Sequence, residues 1–259
     1  SASILSNAFF DQLVPSQFSG WDAVFGVLAY TVQIYYDFSG YSDMAIGLGY
    51  FCGYEFPVNF NSPYKALSIT EFWRRWHITL STWLRDYLYI PLGGSRHGRW
   101  KTYRNLALTM LLGGLWHGAN WHYVVWGAYH GIGLAIERAL GDGNPLKKLP
   151  PILQWLGTFV LVMLGWILFR AQDLPTAWLI IRNTFSGDYS QINLLNVTDC
   201  RVGFAAVWLG LTIALFAKNS WEIGRNATLL KTLILLGLFI LSIGFLFGAV
   251  SHPFLYFQF

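Results

Sequence analysis

Charged residues are scarce in this chain: of its 259 residues only 12% are Asp, Glu, Lys or Arg. An ordinary soluble domain carries about 25% charged residues. Hydrophobic residues reach 54%, mean hydropathy is +0.42, and there are 13 Trp. The composition therefore favours a polytopic membrane protein with interfacial aromatic side chains over a soluble domain. The net charge is +4, and the basic residues lie mostly in short loops next to apolar stretches. They form no separate basic domain, so we expect no nucleic-acid partner.

Cysteine is nearly absent, and so are the common motifs of metal and hydrolase sites. Cys52 and Cys200 are the two cysteines of the sequence, and neither belongs to a CxxC pair. This excludes a zinc or redox motif and leaves room for at most one disulfide. HExxH, DxD and GxSxG motifs are also missing, which argues against a zinc protease, a metal-dependent glycosyltransferase and a serine hydrolase. No metal site is expected.

Long apolar stretches predict the transmembrane part of the chain. The clearest candidates cover residues 151–170, 201–217 and 229–250, and two further stretches cover 105–119 and 121–140. Basic residues cluster in the loops 93–104 and 218–231. The positive-inside rule places both loops in the cytoplasm. The segment 171–200 and the C-terminal tail then lie on the outer side.

Residues 36–45 form a Gly- and Ser-containing junction between two apolar stretches, Tyr-Asp-Phe-Ser-Gly-Tyr-Ser-Asp-Met-Ala. The composition predicts a broken helix or tight turn at membrane depth. Such backbone is tolerated only where it is buried in protein or lines a cavity. Asp37 and Asp43 therefore either line that cavity or stabilise the break by accepting backbone N–H groups.

The next segment is amphipathic and unusually charged. Thr70 is a candidate N-cap for a helix from Glu71 to about Ile90, with polar residues along one face at Arg74, His77, Ser81 and Arg85. Its charges make it a poor lipid-facing span, so an interfacial or re-entrant helix is expected. His77 has two possible roles. It is a second acid–base or orienting group, with Arg74 or Arg85 stabilising an anion. Alternatively, it is one residue of a polar face that contacts only solvent or lipid headgroups.

His117 lies in the apolar run Leu-Leu-Gly-Gly-Leu-Trp-His-Gly at residues 111–118. Ionisable groups at membrane depth are costly and usually functional. A neutral imidazole is suited to remove a proton from a hydroxyl group. The alternative is a histidine that is only hydrogen-bonded within a helix bundle.

The chain ends in an aromatic tail, Pro-Phe-Leu-Tyr-Phe-Gln-Phe at residues 253–259. This tail is either an interfacial anchor or a means of presenting the Tyr256 hydroxyl to an active cavity.

These segments together resemble the membrane-bound O-acyltransferase family, and within it the bacterial branch of alginate O-acetyltransferase membrane subunits with their peptidoglycan and D-alanyl-transfer relatives. The resemblance is strongest over residues 30–140 and rests on 36–45, on 71–87 and on 111–118. The last of these is similar to the segment that bears the family's catalytic histidine. His77 falls where this branch has its second histidine.

The resemblance implies a single all-α membrane domain over residues 1–259, a ring of tilted helices with broken or re-entrant helices around a central tunnel. Further N-terminal helices of the family are missing, so the chain is expected to be the C-terminal part of a longer protein. The resemblance also implies a multi-pass protein of the bacterial inner membrane with the C-terminal tail outside.

The implied reaction moves an acetyl group from a cytosolic thioester to an extracellular polysaccharide, most simply alginate. Acetyl-coenzyme A or another acyl thioester would be the donor, with no permanently bound cofactor, and periplasmic acetyltransferases would be partners alongside membrane lipid. His117 would be the general base, His77 would assist, and Tyr256 would carry the acyl group. Arg74, Trp116 and Asp37 would contact substrate. Peptidoglycan or teichoic acid as the acceptor, and a non-catalytic transport subunit, are the alternatives.

Overall fold

The computed structural model describes residues 2–12, 18–196, 200–225 and 228–248. Within these ranges every regular element is helical and none is a β-strand, which confirms the predicted all-α class. The helices are, in chain order, α1 (Ala2–Asn7), α2 (Gly20–Phe51), α3 (Ile69–Arg75), α4 (Ile78–Leu84), α5 (Arg99–Trp116), α6 (Trp121–Leu140), α7 (Pro151–Arg170), α8 (Leu174–Ser186), α9 (Cys200–Phe216), α10 (Ser220–Arg225) and α11 (Leu229–Gly248).

Among the described residues, helix α7 has the length and composition to cross a membrane. Its 20 residues rise about 30 Å, the thickness of a hydrocarbon core. Pro151 occupies its first turn, where a missing N–H costs nothing. Arg170 at its last turn donates to both carboxylate oxygens of Asp11 at 2.8 Å, so this charge is paired. The apolar stretches Val202–Phe216 and Leu229–Gly244 are helical but shorter.

The predicted break at residues 37–43 is wrong, because α2 continues without interruption through all 32 residues. Ser19 and Asp22 form a capping box at its start. The segment holds a single glycine, Gly40, and no proline. One helical glycine costs only about 1 kcal/mol relative to alanine, which is too little to break a helix whose N-terminal half is packed in the core.

The predicted helix from Glu71 to about Ile90 is also wrong in its continuity. It begins earlier, at Ile69, with Ser68 as the N-cap that accepts from the Glu71 N–H. It then stops at Arg75, and a second helix starts at Ile78. His77 lies in the break with φ of +43°. The four polar residues expected on one helical face therefore belong to separate elements: Arg74 to α3, His77 to the break, Ser81 to α4 and Arg85 to the short π-helix Arg85–Tyr89 that follows.

Helices α5 and α6 pack against each other through glycine. Position 114 faces the Tyr123 carbonyl, and position 127 faces the Met110 carbonyl. Glycine at both positions lets the two backbones approach without a β-carbon between them. The basic loop 93–104 is a loop only as far as Gly98, after which α5 begins. The apolar stretch predicted at 121–140 is thus confirmed as a helix, and that predicted at 105–119 is helical as far as Trp116.

The helices fall into two compact units, residues 1–215 and 216–259. The first unit holds all three segments that carry the family resemblance. The second contains α10 and the apolar helix α11. A single membrane domain over residues 1–259 stays a prediction.

Candidate functional site

The break between α3 and α4 is supported by the loop that precedes α3. The Asn61 N–H donates to the Arg75 carbonyl at 3.0 Å, and the Ile78 N–H donates to the Asn59 carbonyl at 2.9 Å. The loop thus supplies partners for the Arg75 carbonyl and the Ile78 N–H, whereas the Trp76 N–H keeps its helical bond to the Phe72 carbonyl. A non-glycine residue in the left-handed region costs about 1–3 kcal/mol, and such residues cluster at functional sites. The loop therefore stabilises a backbone that α3 and α4 would not adopt alone.

The His77 side chain is buried, with 9% of its surface exposed. Its Nδ1 lies 3.2 Å from Oδ1 of Asn59. Phe38 of α2 packs edge-on against the ring at 4.7 Å between centroids, and the Trp116 ring lies at 6.4 Å. The segments 36–45, 71–87 and 111–118, separated in sequence, thus meet at this histidine.

His117 caps the C-terminus of α5. Its Nδ1 lies 2.7 Å from the Gly113 carbonyl oxygen. A carbonyl oxygen only accepts, so Nδ1 carries the hydrogen in this bond. The neutral ring then has its lone pair on Nε2, the atom that can take a proton. The rings of Trp126 and Phe169 pack against the imidazole at 5.0 and 5.3 Å, which fixes the ring plane.

His117 lines an apolar cavity of about 180 Å³ between α4, α5 and α6. Trp73 of α3 and Ser81 of α4 also line it. Most of the lining is aliphatic or aromatic, which suits an acyl or alkyl group better than a sugar. The cavity therefore places His117 among mainly apolar side chains.

Trp116 connects the two histidines. Its ring centroid lies 5.2 Å from that of His117 and 6.4 Å from that of His77. The indole is 61% exposed, although it touches two site residues. It is therefore accessible to a substrate at a position close to both imidazoles.

The remaining predicted site residues lie in different surroundings. Arg74 is exposed at the end of α3 and is not among the residues that line the His117 cavity. Arg85 lines that cavity but donates to Asp86 at 2.7 Å, and this bond holds the pKa of the Asp86 carboxyl below its usual range. Asp37 is half-buried within the continuous helix α2. Tyr256 lies outside the described residues.

The described part of the chain shows no group of three or more His, Cys, Asp or Glu side chains that would suit a metal ion. The other buried histidines are separate from the cavity. His122 lies 3.3 Å from the Leu168 carbonyl through Nδ1. His130 is 1% exposed and packs among Phe72, Trp73 and Trp126. Both belong to the packing of α6.

Two further site residues were not found by sequence reasoning. Asn59, in the segment between α2 and α3, contacts His77. Glu137 on α6 accepts from the Ile69 and Thr70 N–H groups at 2.6 and 2.9 Å and so caps α3 from another helix. Neither residue belongs to a recognisable local pattern, because each acts on a segment that is distant in sequence or different in direction.

Comparison with known proteins shows the family to which the chain belongs. Residues 2–173 match the membrane-bound O-acyltransferase family, so the chain belongs to that family and is a membrane protein. It is 58% identical to the probable alginate O-acetylase AlgI of Pseudomonas aeruginosa over 77% of this chain and 39% of the relative. With the protein of the same name from Pseudomonas putida the identity is 51%, over 92% of this chain and 53% of the relative.

A relative with another acceptor is also similar. The peptidoglycan O-acetyltransferase of Helicobacter pylori is 41% identical over 90% of this chain and 48% of its own length. The chain thus spans about half or less of the length of these curated relatives. All three sequence segments singled out above lie within the family match.

Proposed function

We propose that this chain carries the catalytic core of a membrane O-acyltransferase that transfers acetyl groups to an extracellular polysaccharide. The observation that carries the proposal is the hydrogen bond from His117 Nδ1 to the Gly113 carbonyl. It leaves Nε2 as the acceptor in an apolar cavity, which is the state a general base needs. Identities of 58% and 51% to proteins called probable alginate O-acetylase make alginate the first-choice acceptor.

The reaction requires removal of a proton from the attacking hydroxyl, which is the Tyr256 phenol where the transfer runs through an acyl carrier, as its oxygen attacks the thioester carbonyl. His117 Nε2 takes this proton and returns it to the leaving thiolate. The oxygen–carbon bond forms as the carbon–sulfur bond breaks, so no group remains on His117. His77, on the far side of Trp116, orients the acceptor or the intermediate. A general base of this kind typically contributes 10²–10⁴-fold to the rate.

The direct test is His117→Ala in the complete protein, with His97→Ala as the control. His97 is an exposed histidine of the basic loop, so its loss should leave acetylation unchanged. We expect His117→Ala to abolish O-acetylation while protein level and membrane insertion stay normal. Near-normal O-acetyl content in cells that carry His117→Ala would refute the role of His117 as general base.

A second substitution, His117→Gln, tests the alternative of a transport subunit without bond chemistry. Such a subunit would retain partial function with glutamine at this position, whereas an enzyme that needs a general base would not.

We propose acetyl-coenzyme A as the donor, bound along α5. A second cavity of about 620 Å³ lies at the start of this helix, with Arg99 and Arg138 in its lining and no acidic residue. Thr102 and Tyr103 line it as well. Along the same helix the lining of the His117 cavity continues with Leu106, Thr109, Met110 and Gly113. These positions recur every three or four residues, so they share one face of α5.

A donor bound along α5 would extend from Arg99 towards His117. From Arg99 to His117 the helix rises about 27 Å. Arginine is suited to phosphate groups, and the apolar cavity to the acyl end. Arg138→Ala should therefore raise KM for acetyl-coenzyme A with little change in kcat. Lys101→Ala is the control, since Lys101 is basic and exposed but does not line the cavity. Equal KM values for both variants would contradict this donor site.

The surrounding architecture belongs to the same proposal. It includes the ring of tilted helices around a tunnel, a location in the bacterial inner membrane and periplasmic acetyltransferase partners, as the family resemblance implies. The Helicobacter pylori relative favours peptidoglycan as the second candidate acceptor. O-acetyl analysis of alginate and peptidoglycan from a strain that lacks the gene distinguishes the two.

A further inference from the structure

The carboxamide of Asn59 lies between α2 and the break at His77. Its Oδ1 is 3.0 Å from Thr79 Oγ1 and 3.3 Å from the Thr79 N–H nitrogen, in addition to the 3.2 Å contact with His77 Nδ1. Its Nδ2 donates to Ser42 Oγ at 3.2 Å. One side chain therefore joins residues of the first and second motif segments.

The network fixes the orientation of this amide. A backbone N–H can only donate, so the Asn59 atom that faces Thr79 must be the oxygen. Since that oxygen also faces His77 Nδ1, the imidazole must donate from Nδ1. The neutral His77 ring then carries its lone pair on Nε2. His117 is held in the same tautomer by the Gly113 carbonyl.

We infer that Asn59 is a positioning residue for acyl transfer, and this inference rests on the proposed function. Asn59 selects the tautomer of His77 and holds its ring between Phe38 and Trp116, so that Nε2 is available to accept a hydrogen bond from substrate. Its connection to Ser42 transmits the rigidity of the long helix α2 to this histidine. Hydrogen-bond partners that orient a functional imidazole commonly contribute 10–100-fold.

A purely structural role must be separated from this one, because Asn59 also accepts from the first turn of α4. Aspartate is as good an N-cap as asparagine, and Ser42 can donate as well as accept. Asn59→Asp therefore keeps the contacts that hold the loop. It places a negative charge beside Nδ1 and stabilises the doubly protonated ring, in which Nε2 has no lone pair.

The experiment measures coenzyme A release from acetyl-coenzyme A by the complete, detergent-solubilised protein between about pH 5 and pH 9. In Asn59→Asp we expect a normal melting temperature and an acid limb of the pH–rate profile displaced by about one unit or more to higher pH. Asn59→Leu should lower kcat by about 10–100-fold at every pH. Asn61→Asp, which puts the same charge two residues further along the loop, is the matched control and should not displace the limb.

The outcomes separate this inference from the proposed function. If His117→Ala abolishes the reaction but Asn59→Asp has a wild-type rate and pH profile, the positioning role is wrong and the function stands. Displacement of the limb by Asn61→Asp to the same extent would also refute it, since the effect would then be unspecific. If His117→Ala retains activity, it is the proposed function that fails.

Discussion

A β-carbon at position 114 would lie 2.3 Å from the backbone carbonyl oxygen of Tyr123. The helix pair that carries His117 is therefore packed through glycine, and this contact cannot relax by rotation of a side chain. The same is true of Gly127, where a β-carbon would lie 2.3 Å from the Met110 carbonyl oxygen. The position of the candidate base depends on these two close approaches.

The first prediction concerns this pair. Gly114→Ala and Gly127→Ala should each push α5 and α6 apart. The loss of folding stability should be about 1–3 kcal/mol or more, since extra atoms in a packed core typically cost that much. Acetylation should fall at least tenfold, and thermal stability in detergent should drop. Gly157→Ala is the control, since a β-carbon there meets nothing within 4 Å and alanine favours the helix. Wild-type activity in Gly114→Ala would mean that the interhelical contact does not position His117.

The second prediction concerns the cap of α3 by Glu137. The carboxylate accepts three hydrogen bonds from Ile69 and Thr70, and bonds of this charged kind contribute about 1.5–3 kcal/mol each. Glu137→Ala should therefore lower both the melting temperature and the rate, and Glu137→Gln should be intermediate. Asp142→Ala removes an exposed ion-pair partner of Lys147 and should change stability by less than about 0.5 kcal/mol. Equal effects of Glu137→Ala and Asp142→Ala would show that the cap is dispensable.

The third prediction is topological. Ser95 is exposed in the basic loop, which the positive-inside rule places in the cytoplasm. With Cys52 and Cys200 replaced by serine, Ser95→Cys should resist an impermeant thiol reagent in intact cells and react after lysis. Ser190→Cys, exposed in the segment predicted to lie outside, should react in intact cells. The reverse labelling pattern would invert the orientation and the direction of acyl flow.

The fourth prediction concerns Tyr256 as an acyl carrier. A phenol can attack the thioester, hold the acetyl group as an aryl ester and pass it to a second nucleophile outside, since phenolate is a good leaving group. Tyr256→Phe removes only the hydroxyl oxygen and should abolish O-acetylation. An interfacial anchor would work equally well with phenylalanine. Normal O-acetylation by Tyr256→Phe would therefore leave the tail as an anchor.

The local pattern was sufficient for much of the fold and for the choice of candidate residues. The helices over 121–140 and 151–170 follow from uninterrupted apolar stretches of the right length. His117 and His77 stood out because imidazoles are rare in such surroundings. These features depend on residue type and spacing, which the sequence states directly. The expected break in α2 failed because glycine and serine weaken a helix without ending it.

Other features of the site were decided by tertiary structure alone. The left-handed backbone at His77 depends on hydrogen bonds to Asn59 and Asn61, from a loop whose own sequence has no helical or strand period. The tautomers of His77 and His117 depend on which acceptor faces Nδ1. The sequence by itself determined the helical class, the apolar stretches and the two histidines. The fold decided their orientation, because a hydrogen bond between distant segments depends on distances that no local pattern encodes.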